Sequence, residues 1–215
     1  DSSSGMLTDV IMRAFELIDL STQTIAKLDA AMRKHALSLI IKEAKKKAFD
    51  GWDSWRYELL EKAVCLCDEK LAAKLEKLLD IFLEDIENDY MPEYKRQEDT
   101  ILRYKLHRHL KGADAVKDEL YANLYIREMC IIAVKDATDA RNYNEAEKLC
   151  LEQIKKEDGR FYRNTPEDWN NILFDVYMQS GITDKQIEQA KKSEHNMSIL
   201  RHDMRHHLMI LQTYV

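Results

Sequence analysis

The chain is poor in the two residues that most often interrupt helices, with Gly 5 and Pro 2 among 215 residues. Sheets need frequent tight turns, and glycine and proline supply many of them, so this scarcity argues against a β-rich fold. Charged residues make up 33% and hydrophobic residues 45% of the chain, a mixture typical of long amphipathic helices. We therefore predict an all-α fold.

Two further absences limit the classes of partner. The formal net charge is -6, whereas phosphate binding needs a clustered excess of Lys and Arg, so we do not expect a nucleic-acid partner. The longest apolar stretches, such as residues 36–41, stop at charges such as Lys42, well short of the roughly 18 residues of a membrane span. Since no signal peptide is visible either, we predict a cytoplasmic protein without membrane contact.

The sequence contains few of the motifs that support catalysis or metal binding. Its four cysteines, Cys65, Cys67, Cys130 and Cys150, are scattered through apolar helical contexts and are predicted to be reduced core thiols. Cys65 and Cys67 have no second pair at zinc-ligand spacing, so we expect no metal site. Without a glycine-rich phosphate loop or a recognisable nucleophile motif, we expect no cofactor and no catalysis by this chain alone.

What the chain does contain is apolar residues that recur at helical spacing. They predict a first helical face with Val10, Ile11, Ala14, Phe15 and Ile18, and a second with Ile25, Leu28, Met32, Leu37 and Ile40. The pair Asp50-Gly51 interrupts the pattern. Further helices are predicted around Trp52 to Val64, Leu71 to Ile86, Tyr94 to Leu110 and Ile126 to Val134.

The pattern is clearest near residues 137–151. Small Ala137 and Ala140 precede a predicted turn at Arg141 to Asn144, and the next helix opens with Ala146, Leu149 and Cys150. Small residues let two antiparallel helices approach closely, so the segment resembles a tetratricopeptide-like (TPR-like) hairpin. A further helix, Trp169 to Tyr177, is predicted to stop at Ser180-Gly181.

Taken together, residues 6–181 resemble the α-helical region of bacterial SWIM zinc-finger proteins. Gly51-Trp52, the turn and helix from Arg141 to Cys150, and Trp169 to Gly181 carry the resemblance. It implies a solenoid of stacked antiparallel helical hairpins. The zinc ligands of those proteins do not appear, because Cys65-Leu66-Cys67 lies inside the helical pattern and no Cys-x-His follows it. No DNA-binding role is therefore carried over.

The richest chemistry lies in the segment Leu200-Arg201-His202-Asp203-Met204-Arg205. Residues 186–215 resemble the H-box helix of GHKL-type, quorum-sensing-like sensor histidine kinases. The resemblance implies that His202 is a phosphoacceptor, that Asp203 orients its ring, and that Arg201 and Arg205 lie near the phosphate. His202 and His206 are four residues apart and so lie on one helical face. Two alternatives to the phosphoacceptor therefore remain, a solvated polar stripe and a chance metal-binding pair.

The nucleotide-binding part that such kinases need is absent from the sequence, so the chain is at most a phosphoacceptor. Apolar residues still recur every three or four positions in residues 197–215, which predicts a C-terminal amphipathic helix. That helix is expected either to pack on the repeats or to pair with a second copy as a homodimer. The seam comprises Met197, Leu200, Met204, Leu208, Leu211 and Val215.

We therefore predict three parts: a disordered or remnant segment at residues 1–5, a helical-repeat domain at residues 6–181, and at residues 182–215 a helix resembling the start of a kinase dimerisation hairpin. The preferred function is a non-catalytic scaffold for a protein or peptide; the alternative is the sensor or phosphoacceptor part of a histidine kinase. Stacked helical hairpins form grooves that bind peptides, and aromatic side chains are candidate anchors in such a groove. The alternative is that these side chains pack in the core. They are Trp52, Trp55, Tyr121, Tyr125 and Tyr177.

Overall fold

A computed structural model describes residues 2–84, 86, 91–156 and 168–181, with side chains from residue 8 onward. All regular secondary structure in these ranges is helical, as predicted. None of these helices combines the length and the apolar character that a membrane span requires. The α-helices of the described ranges are α1 (Ser2–Ile25), α2 (Ala30–Ala44), α3 (Asp53–Glu61), α4 (Glu69–Leu83), α5 (Pro92–Lys111), α6 (Lys117–Ala122), α7 (Arg127–Asp139), α8 (Tyr143–Lys156) and α9 (Trp169–Ser180).

The chain divides into two compact units, with the boundary between Ala122 and Asn123. The N-terminal unit contains α1 to α6, and the C-terminal unit contains α7 to α9. The predicted repeat region at residues 6–181 therefore holds parts of two units. The predicted C-terminal helix at residues 182–215 lies outside the described residues.

The core of the N-terminal unit is built from aliphatic side chains that return every three or four residues. Leu75 and Leu79 of α4 are fully buried, and Leu37 of α2 and Leu106 of α5 are buried with them in one hydrophobic cluster. α4 shows why the pattern works as a helix: Asp68 caps its first turn by accepting a hydrogen bond from Leu71 N at 3.0 Å. Leucines at this spacing then occupy one face of the helix and become buried together.

The prediction that Ile25 and Leu28 share one helical face with Met32, Leu37 and Ile40 is wrong. α1 continues through Ile25, the chain turns at residues 26–29, and α2 starts only at Ala30. Asp29 causes the new start, because its Oδ1 accepts hydrogen bonds from Ala31 N and Met32 N at 2.8 and 2.9 Å. Leu28 and Met32 consequently lie on the surface, 49% and 45% exposed.

The cysteine pair was predicted to lie inside the helical pattern, but it lies between two α-helices. Val64 to Leu66 form a 3₁₀ turn between α3 and α4, and Cys67 follows it in extended conformation. The short turn separates α3 from α4 without glycine or proline, which is why the apolar pattern looked unbroken. The two thiols still pack as predicted, Cys67 in the core and Cys65 half-buried against it.

The C-terminal unit contains the hairpin that the small residues predicted. α7 ends at Asp139, Arg141 adopts a positive φ of 58°, and Asn142 N donates to Ala137 O at 2.8 Å. Ala146 is fully buried, which lets α8 lie close to α7. α9 begins after Asp168, which caps Asn170 N at 2.8 Å, and ends at Gly181 with a left-handed φ of 73°. The stacking of such hairpins into a TPR-like solenoid stays a prediction.

Candidate functional site

The predicted phosphoacceptor segment lies outside the described residues. This applies to His202 and to its predicted assistants Arg201, Asp203 and Arg205. Their roles, and a homodimer through residues 197–215, stay predictions. The candidate site of the described chain is therefore sought among the aromatic residues.

Trp52 and Trp55 lie at the start of α3, where the backbone turns sharply. Residues 47–49 form a 3₁₀ turn, and Gly51 follows with a φ of 81° that side-chain-bearing residues rarely adopt. Trp52 N then donates to Phe49 O at 2.9 Å. The turn places Trp52 immediately before the helix and Trp55 in its first turn.

The two indole rings stack on each other. Their centroids are 4.4 Å apart and their planes differ by 8°. Trp55 is half-buried and packs against the hydrophobic cluster of the N-terminal unit, whereas Trp52 is 53% exposed. The stack therefore anchors one ring in the protein and presents the other to solvent. We call this pair the tryptophan platform.

An arginine beneath the surface holds the backbone around the platform. The Arg56 side chain is only 8% exposed, and its Nη1 and Nη2 donate to Asp53 Oδ1 and Asp50 Oδ1, both at 2.8 Å. Its guanidinium also lies over the Phe82 ring, 5.0 Å from the centroid. Because Asp50 precedes Trp52 and Asp53 follows it, this fork ties together the two sides of the residue that carries the exposed ring.

A carboxylate, Asp50, and a further aromatic residue, Tyr94, lie near the platform. Asp50 keeps 65% of its side chain exposed although it pairs with Arg56. Burial and the neighbouring Glu98 raise the pKa of Tyr94 to about 12, while a hydrogen bond with Ser54 of α3 opposes that shift. Tyr94 is itself 37% exposed. Tyr94 was not among the predicted site residues. The contact between α5 and the start of α3 is tertiary, and it leaves no local pattern in the sequence.

The other aromatic candidates take different positions. Tyr121 on α6 is half-buried, with Lys117 Nζ 5.6 Å from its ring centroid. Tyr125 belongs to the C-terminal unit and is 70% exposed. Tyr177 is 7% exposed and its hydroxyl donates to Glu147 Oε1, so it serves core packing, the alternative weighed above, and offers no surface anchor. Of the five aromatic candidates, all of which lie within the described residues, Trp52 and Trp55 are the two whose rings stack.

The described residues contain no group of three His, Cys, Asp or Glu side chains arranged to hold a metal ion. Burial raises the pKa of Cys67 and of Cys150 to about 12, so these thiols are poor nucleophiles and poor ligands near neutral pH. His107 lies between two carboxylates, with Nδ1 2.9 Å from Glu119 Oε2 and Nε2 3.2 Å from Glu76 Oε1. These two contacts join α5 to α6 and to α4, so we assign His107 a structural role.

The chain matches no protein-family model, no curated protein and no solved structure.

Proposed function

We propose that the chain is a non-catalytic helical scaffold that binds a protein or peptide partner at the tryptophan platform. The observation that carries the proposal is the stacking of Trp52 on Trp55 with 53% of Trp52 exposed. A tryptophan on the surface is costly to solvate, and tryptophan is among the residues that most often dominate binding energy at protein interfaces. Since the partly buried Trp55 already holds the ring, a partner would gain contact area while little side-chain freedom is lost.

The charge around the platform indicates the chemistry of the partner. The Asp50 carboxylate, exposed although it pairs with Arg56, lies two residues before Trp52 in the chain, and the sequence as a whole carries a net charge of -6. An indole face attracts Lys or Arg through its quadrupole, and a neighbouring carboxylate strengthens that attraction. We therefore expect the partner segment to present an Arg or Lys side chain over Trp52.

Selection from a random peptide display library on the full chain tests the proposal. Selected peptides would be titrated against the wild type, Trp52→Ala and Tyr125→Ala, with fluorescence polarisation as the readout. Tyr125→Ala is the matched control, since it removes a more exposed aromatic side chain outside the platform. Trp55→Ala is less suitable because Trp55 packs against the core, so its loss would also affect folding.

We expect enrichment of peptides rich in Arg or Lys. Trp52→Ala should weaken their binding by about 30-fold, as for an interface hot spot, while Tyr125→Ala should leave it unchanged. If no peptide is enriched, or if the selected peptides bind Trp52→Ala as tightly as the wild type, the platform is not the binding site.

A further inference from the structure

Helix α1 carries apolar side chains on two opposite faces. Its inner face packs into the N-terminal unit, where Phe15 and Thr22 are buried with 6% and 3% exposure. Its outer face presents Val10, Leu17 and Leu20, which are 64%, 66% and 62% exposed. Single exposed aliphatic residues are common on protein surfaces, but these three lie on one side of one helix.

The outer residues follow the spacing of a helix-pairing seam. Val10, Arg13, Leu17 and Leu20 are separated by three, four and three residues, which places them in one stripe along the helix. Three members of the stripe are aliphatic and one is a cation. We call these four residues the α1 stripe.

The α1 stripe is complementary to itself. If two copies of α1 lie antiparallel and cross near Phe15, Val10 of one copy faces Leu20 of the other, and Arg13 faces Leu17. The same register brings Arg13 next to Glu16 of the second copy, and two-fold symmetry repeats that pair. Within the described part of the chain, neither the Arg13 nor the Glu16 side chain has a hydrogen-bond or ion-pair partner.

We propose that α1 pairs antiparallel with α1 of a second copy of this chain, through the α1 stripe and two reciprocal Arg13–Glu16 ion pairs. Helix α1 has 24 residues, which corresponds to about 36 Å at 1.5 Å per residue. A contact between two helices of this length is small for a specific interface, so the dimer is weak. We expect a dissociation constant of about 1–100 µM.

Sedimentation velocity of the full chain over about 1–100 µM tests the pairing. The wild type should pass from monomer to dimer across this range. Leu17→Lys places a cation opposite Arg13 of the second copy at the centre of the seam and should abolish the dimer. Ile81→Lys is the matched control: Ile81 is 51% exposed on α4, outside the α1 stripe, so that variant should dimerise as the wild type does. Far-ultraviolet circular dichroism would verify that both variants are folded.

A charge swap tests the antiparallel register. Arg13→Glu places two glutamates opposite each other twice and should raise the dissociation constant at least tenfold. The double variant Arg13→Glu with Glu16→Arg exchanges the signs and should restore dimerisation. A protein that is monomeric at all concentrations overturns the proposal, as does a dimer that survives Leu17→Lys, for example one formed through residues 197–215. A double variant that stays monomeric overturns the antiparallel register.

Discussion

The Tyr177 hydroxyl donates a 2.7 Å hydrogen bond to Glu147 Oε1 and so joins α9 to α8 inside the C-terminal unit. The tyrosine as a whole is 7% exposed, so the hydrogen bond gives a partner to the hydroxyl of a largely buried side chain. A hydroxyl buried without a partner would cost free energy, so the position of Glu147 decides whether a tyrosine is tolerated there.

The first prediction concerns this hydrogen bond. Tyr177→Phe keeps the ring and removes the hydroxyl, so the free energy of unfolding should fall by about 1 kcal/mol. Urea denaturation measures the change. Tyr125→Phe, which removes a hydroxyl from a side chain that is 70% exposed, should leave the free energy of unfolding unchanged. Equal effects of the two substitutions would show that the contact with Glu147 contributes nothing.

The second prediction concerns the arginine behind the tryptophan platform. Arg56→Met keeps much of the apolar stem but leaves the Asp53 carboxylate, 16% exposed, without its cation. We expect a loss of about 2–3 kcal/mol in the free energy of unfolding, below the full cost of breaking a buried pair because Asp50 is 65% exposed. Lys46→Met, which breaks the exposed pair with Glu43, should cost less than about 1 kcal/mol. Urea denaturation measures the loss in both variants. A similar loss in the two would show that the Arg56 fork contributes no more to stability than an exposed ion pair.

The third prediction compares two glycines with nearly the same φ. Gly51 and Gly112 have φ values of 81° and 84°, and a Cβ added at either would meet nothing within 4 Å. Alanine at each position should therefore cost about 1 kcal/mol of stability for conformational reasons alone. Only Gly51→Ala should also change the near-ultraviolet circular dichroism of the stacked indoles, because only Gly51 precedes Trp52. An unchanged spectrum would mean that the turn does not position the platform.

The fourth prediction concerns stability in alkaline solution. Burial raises the pKa of Cys67 from 9.0 to about 12, and that of Cys150 by a similar amount. Between these values the unfolded chain loses the thiol protons while the folded chain keeps them, so stability falls as pH rises from 9 to 12. Each thiol should remove up to about 1.4 kcal/mol per pH unit in this window.

Urea denaturation at several pH values above 9 checks this alkaline loss. The double variant Cys67→Ala with Cys150→Ala should start from a lower stability, because it loses buried volume, but should decline less steeply than the wild type. Tyr94, although 37% exposed, contributes in the same direction, since partial burial also raises its pKa to about 12. The slope of the unfolding free energy against pH should therefore become shallower in the variant without vanishing. An identical slope in wild type and variant would contradict the prediction.

The sequence predicted the helices best where a single physical pattern controlled them. Leucines at helical spacing located α4, and small residues flanking Arg141 located the hairpin of α7 and α8. The prediction failed at residues 26–29, where the apolar spacing continues through the turn but the Asp29 carboxylate starts a new helix. A side chain that binds backbone N–H groups stops a helix without changing its hydrophobic pattern.

The candidate site was predictable in its residue types and in part of its geometry. A spacing of three placed Trp52 and Trp55 near each other on a helix, but it left open whether the rings are buried, exposed or stacked. The Arg56 fork and the neighbouring Tyr94 depend on contacts among α3, α4 and α5 that no local pattern encodes.

Composition and periodicity alone determined that this chain is helical, because backbone hydrogen bonding within a helix is local and the apolar spacing selects it. The tertiary structure decided which apolar faces are covered. Phe15 and Leu17 lie on the same helix and are equally apolar in sequence, yet one is 6% and the other 66% exposed. The exposed fraction of a side chain depends on which helices pack against it, and those helices come from distant parts of the chain.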